Sequence, residues 1–195
     1  GLTAFVVDMH APGVETRPLR QMTGEAEFNE VYFTDARLPD AERLGEPGDG
    51  WRVSLTTLMN ERVSIGGAIV PRGSGPIAQA VRIWQDLPAE RKDVATRDEL
   101  MTLWIEAEVN RLTNLRASQN RKLGTPGPEG STGKLAFAES NKRIYEFCVD
   151  LMGANGMLYG TYEMVRPETA MESDTLQKAF LRSRWSVRPA AQRSA

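Results

Sequence analysis

A chain of 195 residues with 41% apolar side chains can build one ordinary domain, or a small domain joined to part of another. Its 24 basic and 26 acidic side chains leave a formal charge of −2, which excludes a broad cationic surface for nucleic acid or for anionic membrane. No apolar run is long enough for a membrane span and no secretory signal pattern is visible, so the expected location is the cytoplasm.

The first residues, Leu2 to Asp8, are rich in β-branched and aromatic side chains and are broken by Ala11-Pro12-Gly13, which predicts one strand and a turn. Glu27 to Thr34 alternates with apolar residues on both faces, as in a strand covered from two sides. Arg37 to Pro39 closes this β region, and the glycines and proline of Gly45 to Gly50 mark a boundary. The expected division is a partial β domain over 1–46, a helical domain over 47–184 and a tail over 185–195.

Beyond Trp51 the apolar period changes from two to about 3.6, with Val53, Leu58, Val63, Ile65 and Ile69 among the positions of a first helix. The charged stretch Trp84 to Thr96 reads as a mobile connection. A second helix is predicted over Thr96–Lys122, where Leu100, Leu103, Ala107 and Leu115 recur at helical steps. Gly124 to Gly133 holds too many helix breakers to be anything but a loop. A third helix follows over Lys134–Met152 and a fourth over Ser173–Arg184. Helices joined this way favour an antiparallel bundle, so the fold class is α+β: a partial antiparallel β domain followed by an antiparallel α-helical bundle.

Residues that could carry chemistry are few. The lone Cys148 lies among apolar positions of a helix and reads as a buried structural thiol. The single histidine, His10, reads as an exposed turn residue with no visible partner. No metal-ligand spacing is present. Gly133-Lys134 does not complete a phosphate-binding loop, because Pro128 and Leu135 stand where glycine and Ser or Thr are needed.

The ordered series is more specific than any one piece. GLTAFVVD and PGV, then FNEVYFTDARLP, LGEPGDGW, LMNERV, GSTGKL and LMGANG follow one another from Gly1 to about Arg184. This order and spacing resemble the second half of the acyl-CoA dehydrogenases. The resemblance implies the later strands of a middle β domain, most of a C-terminal four-helix bundle that drives homo-oligomerisation, and FAD as cofactor. It further implies α,β-dehydrogenation of an acyl-CoA thioester, with electrons passed to an electron-transfer flavoprotein. A carboxylate base in such a site needs an apolar surrounding that raises its pKa toward neutrality.

In the family that base stands at one of two places. Glu61 of Asn60-Glu61-Arg62 occupies the place on the first bundle helix, and Arg62 that of a residue on the wall of the acyl site. The other place is an EGGT-type segment after the last helix. The tail Trp185 to Ala195 contains neither a carboxylate side chain nor a glycine. A start without methionine and this tail together suggest an incomplete copy, expected to be inactive by itself. Glu61 has an alternative reading as a solvated helix residue, since neighbours on a helix point about 100° apart and do not pair.

Gly153, Asn155 and Gly156 match the family's flavin-contacting GGNG-like segment, departing from it at Ala154, and Asp150 replaces a glutamine common nearby. Their alternative reading is a helix C-cap followed by a turn. No Arg-x-x-Phe-Gly flavin motif is found around Arg91. Two competing functions remain: a non-catalytic helical oligomerisation or binding module, and an acyl-CoA oxidase-like flavoenzyme of the same fold.

Overall fold

The computed structural model describes residues 1–66, 69–124, 127–159 and 175–185, without the side chains of 61–66, 130, 131 and 185. The described chain falls into two compact units, residues 1–61 and residues 62–159 with 175–185.

The first unit holds two small antiparallel pairs. Strand β1 (Ala4–Phe5) pairs with β4 (Arg43–Leu44), and β2 (Val14–Leu19) pairs with β3 (Phe28–Phe33). The register Val14↔Phe33 through Leu19↔Phe28 sets Glu15 opposite Tyr32 and Arg17 opposite Glu30. Arg17 donates to Glu15 at 2.8 and 3.1 Å, and its guanidinium lies 4.6 Å from the centre of the Tyr32 ring. Strand β2 escapes the sequence reading because VETRPL carries three polar side chains and a proline, a composition typical of turns and edges. Every residue of β3 is exposed, so the cover expected on both its faces is not supplied by the described residues. Helix α1 (Gly50–Gly66) begins in this unit, its Gly50 N–H bonded to the Leu2 carbonyl at 2.7 Å.

The second unit is helical. Helix α1 ends at Gly66, so Ile69 lies outside it, against the expectation of one continuous apolar stripe. After the turn at Pro71 to Ser74 comes α2 (Pro76–Asp86), unforeseen in the sequence although Pro76 occupies the first helical position that proline favours. Then follow α3 (Val94–Lys122), α4 (Glu129–Met152) and α5 (Leu176–Trp185). Residues 173 and 174 of the expected fourth helix, and the tail from 186 on, lie outside the described residues.

Helices α3 and α4 run antiparallel. Asn120 donates to Glu129 at 2.9 Å, Asn110 to the Ala136 carbonyl at 3.5 Å, and Arg143 to Glu106 at 2.5 Å, so residue numbers fall along one helix as they rise along the other. Helix α5 runs antiparallel to α4, with Arg184 on Glu146 at 2.6 Å at one end and Gln177 on the Asn155 carbonyl at 3.2 Å at the other. Between the helices lies one core of Ile77 and Ala80 from α2, Leu100 and Leu103 from α3, and Ile144, Phe147, Cys148 and Leu151 from α4. These positions recur at three- and four-residue steps, which is why each helix turns one side inward. Each large side chain fully buried there contributes about 1.5–3 kcal/mol.

Two connections differ from expectation. The stretch 84–96 is largely ordered by local bonds. Trp84 packs on the core inside α2, Ala89–Arg91 forms a 3-10 turn, Lys92 donates to the Gln85 carbonyl at 2.6 Å, and the Asp93 side chain caps α3 through the Thr96 N–H at 2.7 Å. The Gly-rich segment continues as helix from Glu129, so the predicted loop is too long by five residues at its end. Tertiary contact overrides propensity there: Gly133 is buried, and a Cβ on it would come within 3.1 Å of Asn114 Oδ1, so small residues let α4 lie close on α3.

Candidate functional site

Glu61 and Arg62 are consecutive positions of α1, and their side chains lie outside the described residues. The preceding turns of α1 carry Trp51, Leu55, Leu58 and Met59, all exposed and spaced as one side of a helix. Position 61 is one turn beyond Thr57 and Leu58 on that helix.

The other candidates sit together at the C-terminal end of α4. Gly153 ends the helix with φ +58°, and its N–H bonds back to the Asp150 carbonyl, so the C-cap reading holds at this residue. Gly153–Met157 then forms a 3-10 turn. Gly153, Ala154 and Asn155 are exposed, whereas Gly156 is buried. A Cβ on Gly156 would stand 2.6 Å from the Val149 carbonyl oxygen, so this glycine presses the turn onto its own helix. The Asn155 carbonyl accepts from the Leu158 N–H and from Gln177 Nε2, both at 3.2 Å, which fixes the turn on α5.

Arg91 joins this corner although it stands 60 residues earlier. Its Nη2 donates to the Leu151 carbonyl at 2.7 Å and lies 3.7 Å from the place a Gly153 Cβ would take. A guanidinium at a helix C-terminus satisfies a free carbonyl and complements the dipole. Nothing in the sequence near Arg91 marked this role, because the pairing depends on how the Ala89–Arg91 turn meets α4. Gly153 and Asn155 lie on the open side of this turn, Gly156 shapes it from below, and the Arg91 guanidinium stands beside it.

The remaining titratable candidates are inert by geometry. Cys148 is fully buried in the bundle core, and desolvation pushes its thiol up to about 12. His10 is exposed and has a partner the sequence did not reveal, Asp8, whose Oδ1 lies 3.4 Å from His10 Nδ1 and accepts from the His10 N–H at 2.9 Å. Among the described residues no group of three His, Cys, Asp or Glu side chains is placed to hold a metal ion, and no helix is long and apolar enough to cross a membrane.

The profile of the acyl-CoA dehydrogenase C-terminal domain matches residues 48–185, and the chain belongs to that family. Among curated relatives, acyl-CoA dehydrogenase FadE34 of Mycobacterium tuberculosis is 34% identical over 161 residues, covering 81% of this chain and 22% of its own. Acyl-CoA dehydrogenase IpdE1 of the same organism is 34% identical over 160 residues, covering 80% of this chain and 40% of its own. The chain thus spans less than half the length of these relatives. Of the solved structures, acyl-CoA dehydrogenase from Geobacillus kaustophilus superposes with a TM-score of 0.74 at 19% identity, over 94% of this chain and 47% of that one. A glutaryl-coenzyme A dehydrogenase gives 0.71 at 20% identity, over 94% and 45%. At such identities these two matches establish the fold, and it is the expected one: a small antiparallel β portion followed by a helical bundle.

Proposed function

We propose that the chain is part of an FAD-dependent acyl-CoA dehydrogenase that oxidises an acyl-CoA thioester at its α,β bond. The observation that carries this reading is the family match through residues 48–185, which includes the Asn60-Glu61-Arg62 step of α1. Bound FAD supplies the acceptor for the hydride leaving the β-carbon. Glu61 takes the proton from the α-carbon, ending as a neutral carboxylic acid, and a closed apolar surrounding sets its pKa near the working pH. Arg62 lines the wall of the acyl site and supports the orientation of α1. Gly153 and Asn155 contact the diphosphate portion of FAD, Gly156 holds their turn in place, and Arg91 adds positive charge beside it.

The electron acceptor is an electron-transfer flavoprotein, and the working location is the cytoplasm. The working unit is a homo-oligomer. Its association surface is the outer side of α3, where Met101, Ile105, Val109 and Leu112 form an exposed apolar stripe at helical spacing. We expect these 195 residues alone not to turn over acyl-CoA; they span 22–40% of the length of the relatives named above.

Glu61→Gln tests the assignment of the base. In a flavin-loaded polypeptide that contains these residues, kcat is expected to fall by about 10²–10⁴ with KM little changed. Unchanged turnover would remove Glu61 from the mechanism.

A further inference from the structure

Residues 87–93, between α2 and α3, are pinned along their length. The Arg91 N–H bonds to the Pro88 carbonyl at 3.0 Å, and the Lys92 N–H to the Ala89 carbonyl at 3.1 Å. Lys92 Nζ donates to the Gln85 carbonyl at 2.6 Å, and Asp93 caps α3. The Arg91 side chain therefore leaves a fixed base, and its Nη2 reaches the Leu151 carbonyl at 2.7 Å. There it stands 3.7 Å from the place a Gly153 Cβ would take, beside the turn on which Gly153 and Asn155 are exposed. Among the described residues Arg91 forms no ion pair, so no carboxylate neutralises its charge.

That charge has something to offset. The last carbonyls of an α-helix have no intrahelical partners and together carry roughly half a negative charge. Asp150, exposed in the last turn of α4, adds a carboxylate to the same end. Such a corner repels phosphate unless a cation covers it. Lys92, the next cation along the connection, is held on Gln85 with its ammonium 5.5 Å from the centre of the Trp84 ring. We propose that Arg91 is a positioning residue for the cofactor site: through the Leu151 carbonyl it ties the Gly153–Met157 turn to the α2–α3 connection and offsets the negative end of α4. The turn is thereby held where Gly153 and Asn155 accept the FAD diphosphate. The inference rests on the reading of this turn as a cofactor contact and adds to it the side chain that makes a helix C-terminus tolerate an anion.

The test is FAD affinity, read from quenching of flavin fluorescence on the apo form of a polypeptide that contains this chain. Arg91→Gln is expected to weaken FAD at least about tenfold at low ionic strength, and the gap should narrow to about threefold in about 1 M NaCl, where charges are screened within about 3 Å. Arg91→Lys keeps the charge and a donor for the Leu151 carbonyl, so it should stay within about threefold of the parent. Asn155→Asp is isosteric and places a carboxylate on the same turn, with an expected loss of about tenfold. Each variant changes an exposed side chain, so Tm should move by no more than a few degrees. Weakened FAD in Asn155→Asp with unchanged or salt-independent affinity in Arg91→Gln would overturn the role of Arg91 alone. Unchanged affinity in both would overturn the reading of the turn as a cofactor contact, and this inference with it.

Discussion

At the scale of single residues, Gly73 shows how one missing Cβ organises the helical unit. It has φ +68°, and a Cβ placed on it would stand 2.3 Å from Cη2 of Trp104, whose ring packs against the core. Gly124 has nearly the same φ, +74°, with nothing within 4 Å of its would-be Cβ. Gly124→Ala should therefore cost only the backbone term, about 1–2 kcal/mol, while Gly73→Ala adds an overpacking term of about 1–3 kcal/mol. Urea unfolding of the two variants separates the terms. Equal losses would mean that Trp104 gives way freely. Cys148 makes a second case. Its folded pKa of about 12 lies above the ordinary 9.0, so folding favours the protonated thiol. The sign follows from linkage: this contribution is complete below about pH 9 and is lost as pH rises from there through about 12. At neutral pH the native thiol should resist a thiol-reactive dye until the chain unfolds. Rapid labelling of the folded protein would contradict its burial.

At the scale of elements, the long periodic segments were legible and the breaks between them were not. The periodicity predicts α3 over Thr96–Lys122 and it runs Val94–Lys122, because its apolar steps and the Asp93 cap agree. Helix α2 escapes the prediction although Ile77, Ala80, Val81 and Trp84 stand at three- and four-residue steps, because it is short and lies between two breaker clusters, and the Arg72-Gly73 turn gains its meaning only against Trp104 of another helix. The start of α4 was hidden for the same reason: Gly133 breaks helices by propensity but fits against Asn114. Exposure on α3 has a consequence at this scale. Ile105 is 60% exposed in the middle of the apolar stripe, so Ile105→Lys should leave the fold intact and shift the proposed homo-oligomer toward monomer in sedimentation velocity. An unchanged sedimentation coefficient would move the association surface elsewhere.

At the scale of the whole molecule, the family is legible in the order of short phrases along the chain, and the profile match over 48–185 establishes it. The candidate site was legible only in part. The Gly153 cap could be read from LMGANG, but the burial of Gly156 under Val149 and the arrival of Arg91 at Leu151 depend on packing between segments far apart in sequence. We propose that these residues belong to a flavin enzyme that dehydrogenates acyl-CoA. The measurement that tests it most directly is anaerobic addition of acyl-CoA to a flavin-loaded polypeptide containing this chain. The expected result is loss of the flavin's visible absorption, with one enoyl-CoA formed per flavin reduced. Retained absorption across short, long and branched acyl-CoA thioesters, with flavin still bound, would contradict it.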